Sequence, residues 1–286
     1  MDPNERKPRL RPMWSEPSLL LSPFAVIHEN LQHRELIRRL IQRDLDSRFR
    51  GPVLGYAWTI IEPLLLALVY SFVFGIIVGR SDPTYPAVVM IGVIGWSLFA
   101  KCLTGTTKTL STNASLFQFT KIPKSVFAAS NVATNLVLSF ISLFALVPLV
   151  WYYGIDIGPN VALTPLFLVA LALCGSSFGL ALAPFAVRIP DLVNVIQFVA
   201  RVGFFLSPVM WTYPMLSSKF GDGIYLTLAH LNPVIVPITM MRDIVLGTSS
   251  GIPTYGWVMF ASVTIFAFVI GTMVFRKLAH KMVVGL

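Results

Sequence analysis

Apolar residues in this chain run in long stretches, separated by shorter segments that hold most of the charge. Six stretches are long enough to cross a bilayer core, which takes about 17–25 helical residues. They cover residues 53–79, 86–103, 126–153, 161–187, 192–213 and 255–275. Pro148 is expected to kink the third. Residues 214–254 are too many for a plain loop in a compact domain. They hold two semi-apolar pieces, 215–230 and 234–247, interrupted by Pro214, Asn232-Pro233 and Pro237. Pieces this short suit re-entrant or interfacial helices on the outer side. The pattern predicts an all-α membrane protein. It comprises six transmembrane helices, an N-terminal amphipathic interfacial helix, and two short outer re-entrant or gate helices before the last span.

Ahead of the spans, Asn30 is placed to cap a helix that runs to about Arg50 and stops at Gly51-Pro52. Leu36, Ile37, Leu40, Ile41, Leu45 and Phe49 recur on one face, and Arg34, Arg38, Arg39, Arg43 and Arg50 crowd the other. Such a basic amphipathic helix suits an anionic headgroup layer. The predicted organisation is a tail at 1–29, rich in proline and charge over 1–18, and an interfacial helix at 30–52. A six-span domain at 53–286 follows, with a loop at 104–124 and gate helices within 214–247.

Composition agrees. Only 12% of residues are charged, against about a quarter in soluble domains. If both termini are cytoplasmic, eighteen of the 22 Lys and Arg residues fall on that side. Only Arg80, Lys219 and Arg242 lie outside, as the positive-inside rule requires. The basic excess thus suits membrane lipid rather than nucleic acid.

One cation stays within a span. Arg201 sits amid Phe198, Val199, Val202, Phe204 and Phe205, where a charge costs about 2.5–3.5 kcal/mol on insertion scales. It either faces a wet interior or pairs with Glu62 or a carbonyl, or it reaches to an interface. Catalytic and metal chemistry find little support. Cys102 and Cys174 lie far apart in apolar runs, and His28, His33, His230 and His280 are scattered without ligand spacing. No metal site and no cofactor are expected in this chain. Gly247-Thr-Ser-Ser-Gly251 lacks the lysine of a phosphate loop. Gly175-Ser-Ser-Phe-Gly179 matches a hydrolase elbow only by pattern. Inside an apolar span, Gly175, Gly179 and Ala183 read as small-xxx-small helix packing. A membrane enzyme would need clustered carboxylates, whereas Asp82, Asp156, Asp191, Asp222 and Asp243 are dispersed. The loop at 104–124 carries a short helical patch with Leu116, Phe117 and Phe119, suited either to docking on a soluble partner or to a solvated connector.

Arg43-Asp-Leu-Asp-Ser-Arg-Phe-Arg-Gly51, followed by Leu54-Gly-Tyr-Ala-Trp58 and Glu62-Pro-Leu-Leu65, resembles the opening of bacterial ABC exporter permeases for polysaccharides and polyol phosphates. These export O-antigen, capsule and teichoic acid. Thr112-Asn-Ala-Ser-Leu116, Lys121-Ile-Pro-Lys124, Arg188-Ile-Pro-Asp191, Phe205-Leu-Ser-Pro-Val209 and Leu231-Asn-Pro233 follow in the family's order. Phe49 stands where the family often has Tyr, and Pro52 where it often has Ser. The resemblance implies a multi-pass protein of the bacterial cytoplasmic (inner) membrane, paired with a second copy of itself and with two cytoplasmic ABC ATPase subunits. ATP and Mg would sit on those partners. It implies a coupling helix around Thr112, Asn113, Leu116, Phe117 and Phe119. It further implies an interfacial helix bearing Arg34, Arg38, Arg39 and Arg43. A channel for a lipid-linked glycan would be lined by Tyr56, Trp58, Glu62, Arg201, Phe204 and Phe205, where aromatic faces can stack on sugar rings. A lipid or drug exporter of the same superfamily is the alternative.

Overall fold

The computed structural model describes residues 21–51, 53–77, 82–119, 122–221 and 224–283. The expected tail over 1–18, the end of the first span at Gly79, and the charges on Arg80 and Lys121 lie outside the described residues. Thirteen α-helices and no strands are found among the described residues.

Two helices precede the bundle, rather than a tail and one helix. α1, Ser22–Gln32, begins with Pro23 in its first turn, where the missing N–H costs nothing. Asn30 therefore lies inside α1 and caps nothing. The chain breaks at His33, whose Nδ1 bonds the Glu29 carbonyl at 2.8 Å, and α2, Arg34–Phe49, follows.

Among the described residues, five segments have the length and apolarity to span a membrane: Gly55–Gly75, Tyr85–Thr112, Ser125–Tyr153, Pro159–Arg188 and Thr254–Ala279. Their main helices are α3 (Trp58–Ile77), α4 (Tyr85–Thr112), α6 (Ser125–Ser142), α7 (Leu146–Tyr153), α8 (Thr164–Arg188) and α13 (Thr254–Val283). α5, Ala114–Phe119, joins α4 to α6. The third span is interrupted close to the position where a kink is expected. The helix tightens into a 3-10 turn at Leu143–Ala145, one turn before Pro148, which has no N–H for the Phe144 carbonyl.

The stretch at 192–213 departs from expectation. Its helix α9, Asp191–Leu206, has 16 residues and rises about 24 Å, short of the roughly 30 Å core. Apolarity continues, but Pro208 disfavours a helical conformation at the residue before it. Ser207 is accordingly extended, with φ −96° and ψ 159°. Between α9 and the last span the described residues form three helices instead of two: α10 (Tyr213–Phe220), α11 (Ile224–Ala229) and α12 (Ile235–Leu246). Gly221, at φ +60°, ends α10, a conformation that glycine adopts at little cost.

α4 is the central post. Val89, Met90, Ile91, Leu98 and Cys102 along it are fully buried. Lipid gives packed helices no hydrophobic advantage, so close approach must hold them together. A Cβ on Gly175 would sit 2.5 Å from the Phe99 carbonyl, and one on Gly179 would sit 2.7 Å from that of Leu103. With Ala183 also buried, the small-xxx-small reading holds. Gly271 of α13 approaches the Ser177 backbone on the other side of α8.

Candidate functional site

α9 combines an apolar body with a polar stripe. Asn194, Gln197 and Arg201 follow at helical spacing and share one side. Asn194 and Arg201 are exposed in the single chain, and Gln197 is half-buried. Beside them, Phe198, Val199, Val202 and Phe205 are exposed. Among the described residues Arg201 has neither an ion-pair nor a hydrogen-bond partner, so the pairing with Glu62 does not occur. An amide, a second amide and a guanidinium on one face of a membrane helix require water, a polar ligand or another polypeptide.

The expected path residues form two groups. At the start of α3, Tyr56 stacks on Phe49 with ring centroids 4.0 Å apart. Trp58 is 46% exposed, and Glu62 lies one turn further on. On α9, Phe204 packs against Tyr70 of α3 at 5.3 Å and against Phe205, also at 5.3 Å and edge-on. Phe205 is 62% exposed. A cleft between α3, α4 and α6, closed at one side by Arg48 and Phe49 of α2, takes in Trp58 and Glu62 of the first group. Trp58, Thr59 and Glu62 face Ser97 and Lys101 of α4 and Asn135, Ser139 and Ser142 of α6. Sequence reasoning missed Asn194, Gln197 and the polar face of α6. Single amides and hydroxyls scarcely lower the apolarity of a span, and their helical spacing was the available signal.

Near α5 the chain builds a packed platform. Leu36, Ile37 and Leu40 of α2 rest on Val126 and Phe127. Arg34, Arg38, Arg39 and Arg43 stay exposed on the opposite face. Glu29 of α1 pairs with Arg276 of α13 at 3.3 Å and accepts from the Ser125 hydroxyl at 3.0 Å. Lys124 donates to the Ala279 carbonyl at 2.9 Å, and its burial lowers its pKa from the ordinary lysine value. Thr112 closes α4, and Asn113 ends it by donating from Nδ2 to the Thr109 carbonyl. One aromatic candidate of the patch is turned away from solvent. Phe117 turns inward to meet Phe127 edge-on at 5.1 Å, because the apolar side of α2 and the start of α6 offer it a dry seat. Leu116, at 39% exposed, is the one directed outward. The side chain of Phe119 lies outside the described residues.

At the other end Arg242 is buried, at 3% exposure. Nε donates to the Val88 carbonyl at 3.0 Å, Nη1 to Trp211 at 2.9 Å and Nη2 to Val209 at 2.8 Å. The bonds to Val209 and Trp211 satisfy backbone acceptors that the non-helical turn after α9 leaves open, and the bond to Val88 ties the side chain to α4. Tyr85 donates to the Met210 carbonyl at 2.7 Å, and Asn232 donates to the Ser207 hydroxyl at 2.9 Å. The segment 207–212 is thus fastened to α4 and α12. Asp243 accepts from Ser250 and Thr248, so Gly247–Gly251 forms a folded helix terminus. No group of three His, Cys, Asp or Glu side chains able to hold a metal ion occurs among the described residues.

Residues 35–246 match the ABC-2 type transporter membrane family. The chain is 29% identical over 219 residues to the O-antigen export system permease protein RfbA of Myxococcus xanthus, covering 77% of this chain and 83% of that one. It is 24% identical over 260 residues to the protein of the same name from Klebsiella pneumoniae, covering 86% and 93%. It is 25% identical over 256 residues to the polysialic acid transport protein KpsM of Escherichia coli, covering 86% and 94%.

Proposed function

Since this chain belongs to the ABC-2 type transporter family, we propose that it is the permease of an ATP-driven exporter carrying a cell-surface polysaccharide across the bacterial inner membrane. The near full-length likeness to O-antigen and polysialic acid permeases supports that substrate class. The observation that carries the reading is the polar stripe Asn194, Gln197 and Arg201 on the exposed side of α9.

In this account two copies meet so that α3 and α9 of each enclose a wet path. Arg201 and the amides hold water and sugar hydroxyls, while Phe205, Trp58 and Tyr56 offer flat apolar faces to sugar rings. Such contacts tolerate many sugars and let a chain slide. α9 with the fastened turn 207–212 makes the sixth crossing, and α10 to α12 form the outer gate. Both termini are cytoplasmic. ATP with Mg is hydrolysed by two separate ATPase subunits that press on α5 through Leu116. α2 lies in the headgroup layer, with its arginines on anionic lipid. The cargo enters attached to a lipid.

Deletion of the gene tests the reading. The expected outcome is loss of surface polysaccharide, with lipid-linked glycan held inside the cell and both reversed by the wild-type chain. Unchanged surface polysaccharide overturns the reading.

A further inference from the structure

The cleft between α3, α4 and α6 shares Trp58 with the proposed path but adds polar walls that the path along α9 does not use. Asn135 is only 2% exposed. Its Nδ2 is taken up by the Asn131 backbone carbonyl and side-chain oxygen, at 2.9 and 3.2 Å. Its Oδ1 accepts no hydrogen bond from the protein. A buried acceptor left alone costs about 1–3 kcal/mol, and such groups in folded proteins nearly always have a donor. Asn135 lines the cleft together with Glu62, a second acceptor, which has no ion-pair partner among the described residues. Ser97, Ser139 and Lys101 add donors on the same walls, and Trp58 adds a ring.

We infer that this cleft is a binding subsite for one sugar ring, set off from the path along α9. The inference rests on the polysaccharide-export reading for the choice of cargo. A pyranose presents several O–H groups that both donate and accept. It can give protons to Glu62 and, with a small turn of the buried amide, to Asn135 Oδ1, take them from Arg48, Lys101 and the serines, and lay its C–H face on Trp58. A phosphate is anionic and carries fewer O–H groups than a pyranose, so it answers Arg48 and Lys101 but is opposed by Glu62 and serves the acceptors poorly. The cleft volume of about 170 Å³ lies below the roughly 300–1,000 Å³ of sites for drug-sized ligands. That suits a single ring, so the subsite reads one residue of the glycan, whereas the α9 path tolerates the rest.

Saturation-transfer NMR on the full chain in nanodiscs tests this. The probes are methyl glycosides of hexoses, 6-deoxyhexoses and N-acetylhexosamines, with inorganic phosphate as comparator. At least one glycoside is expected to bind. Its affinity should fall roughly ten-fold in Asn135→Leu, the loss of one hydrogen bond to a buried acceptor. Binding should vanish in Ser139→Phe, which fills the cleft, and return only in part in Ser139→Ala, which restores the space but not the hydroxyl. Each variant is scored only if it elutes as wild type; if Asn135→Leu misfolds, Glu62→Gln replaces it and should weaken binding likewise. Absence of transfer to every glycoside, equal transfer to wild type and Ser139→Phe, or displacement by phosphate overturns the subsite. Surface polysaccharide in the deletion strain is scored separately. Binding without an export phenotype overturns the export reading alone, and export without binding overturns the subsite alone.

Discussion

Arg242 donates from Nη2 to the carbonyl oxygen of Val209 at 2.8 Å. It thereby joins α12 to the turn that ends α9. Gly92 makes room for this contact, since a Cβ there would lie 2.6 Å from Nη2 and 2.7 Å from Val209 Cα. Replacing Arg242 by Met would leave the Val209 and Trp211 carbonyls without this donor, and the loss should be on the order of 3 kcal/mol. Lysine should not rescue, because one ammonium cannot replace the planar fork. Thermal unfolding of purified Arg242→Met, Arg242→Lys and Gly92→Val should show lowered Tm for all three. Wild-type Tm in Arg242→Met would remove the fastening role.

The α4–α8 seam should be equally intolerant of volume. Gly179→Val forces a side chain against the Leu103 carbonyl and Thr106, and overpacking costs about 1–3 kcal/mol. Reduced yield and Tm are expected, whereas Ala181→Val, on a partly exposed position of α8, should fold nearly as wild type.

Leu116 and Phe117 should separate docking from folding. Leu116→Glu leaves the Phe117–Phe127 contact intact, so Tm should hold while co-purification with the ATPase and ATP-driven export fall. Phe117→Glu buries a carboxylate beside Phe127 and should lower Tm first. Similar behaviour of the two variants in both assays would contradict the assignment of sides.

His230 gives a pH signature. Burial lowers its pKa below the ordinary 6.5, while its Nε2 lies 3.2 Å from the Tyr213 hydroxyl. The unfolded chain takes up the proton first as pH falls through about 6.5, so stability declines from there until the folded pKa is passed. Above pH 7.5 no penalty remains. Tm should drop between pH 7.5 and 5.5, and His230→Gln should flatten that part of the profile.

Much of this architecture was legible in the sequence. Long apolar runs dictate helices wherever lipid denies the backbone other partners, and Gly175 with Gly179 identified the tight seam. The break near Pro148 followed from its missing N–H. The break at His33 was not legible, because no proline or glycine marks it. The end of α9 at Leu206 was obscured because hydropathy continues through Pro208. Arg242 was read as one outer charge among three. Its burial depends on carbonyls supplied by Val88, Val209 and Trp211, distant in sequence, which no local pattern announces. The α9 stripe was half visible: Arg201 stood out, but Asn194 and Gln197 are weakly polar and gain meaning only on a common face.

The central claim is that this face of α9 borders water rather than lipid. Single cysteines at 194, 197 and 201, with Cys102 and Cys174 changed to alanine, can be exposed in intact membranes to a charged thiol reagent. Val258 and Phe266 of α13, both exposed in the single chain, serve as lipid-facing comparators. The account predicts rapid modification at the three α9 positions, slowed by glycan cargo, and none at 258 or 266. Modification of Arg201→Cys as slow as that of Phe266→Cys, with and without ATP, would contradict it.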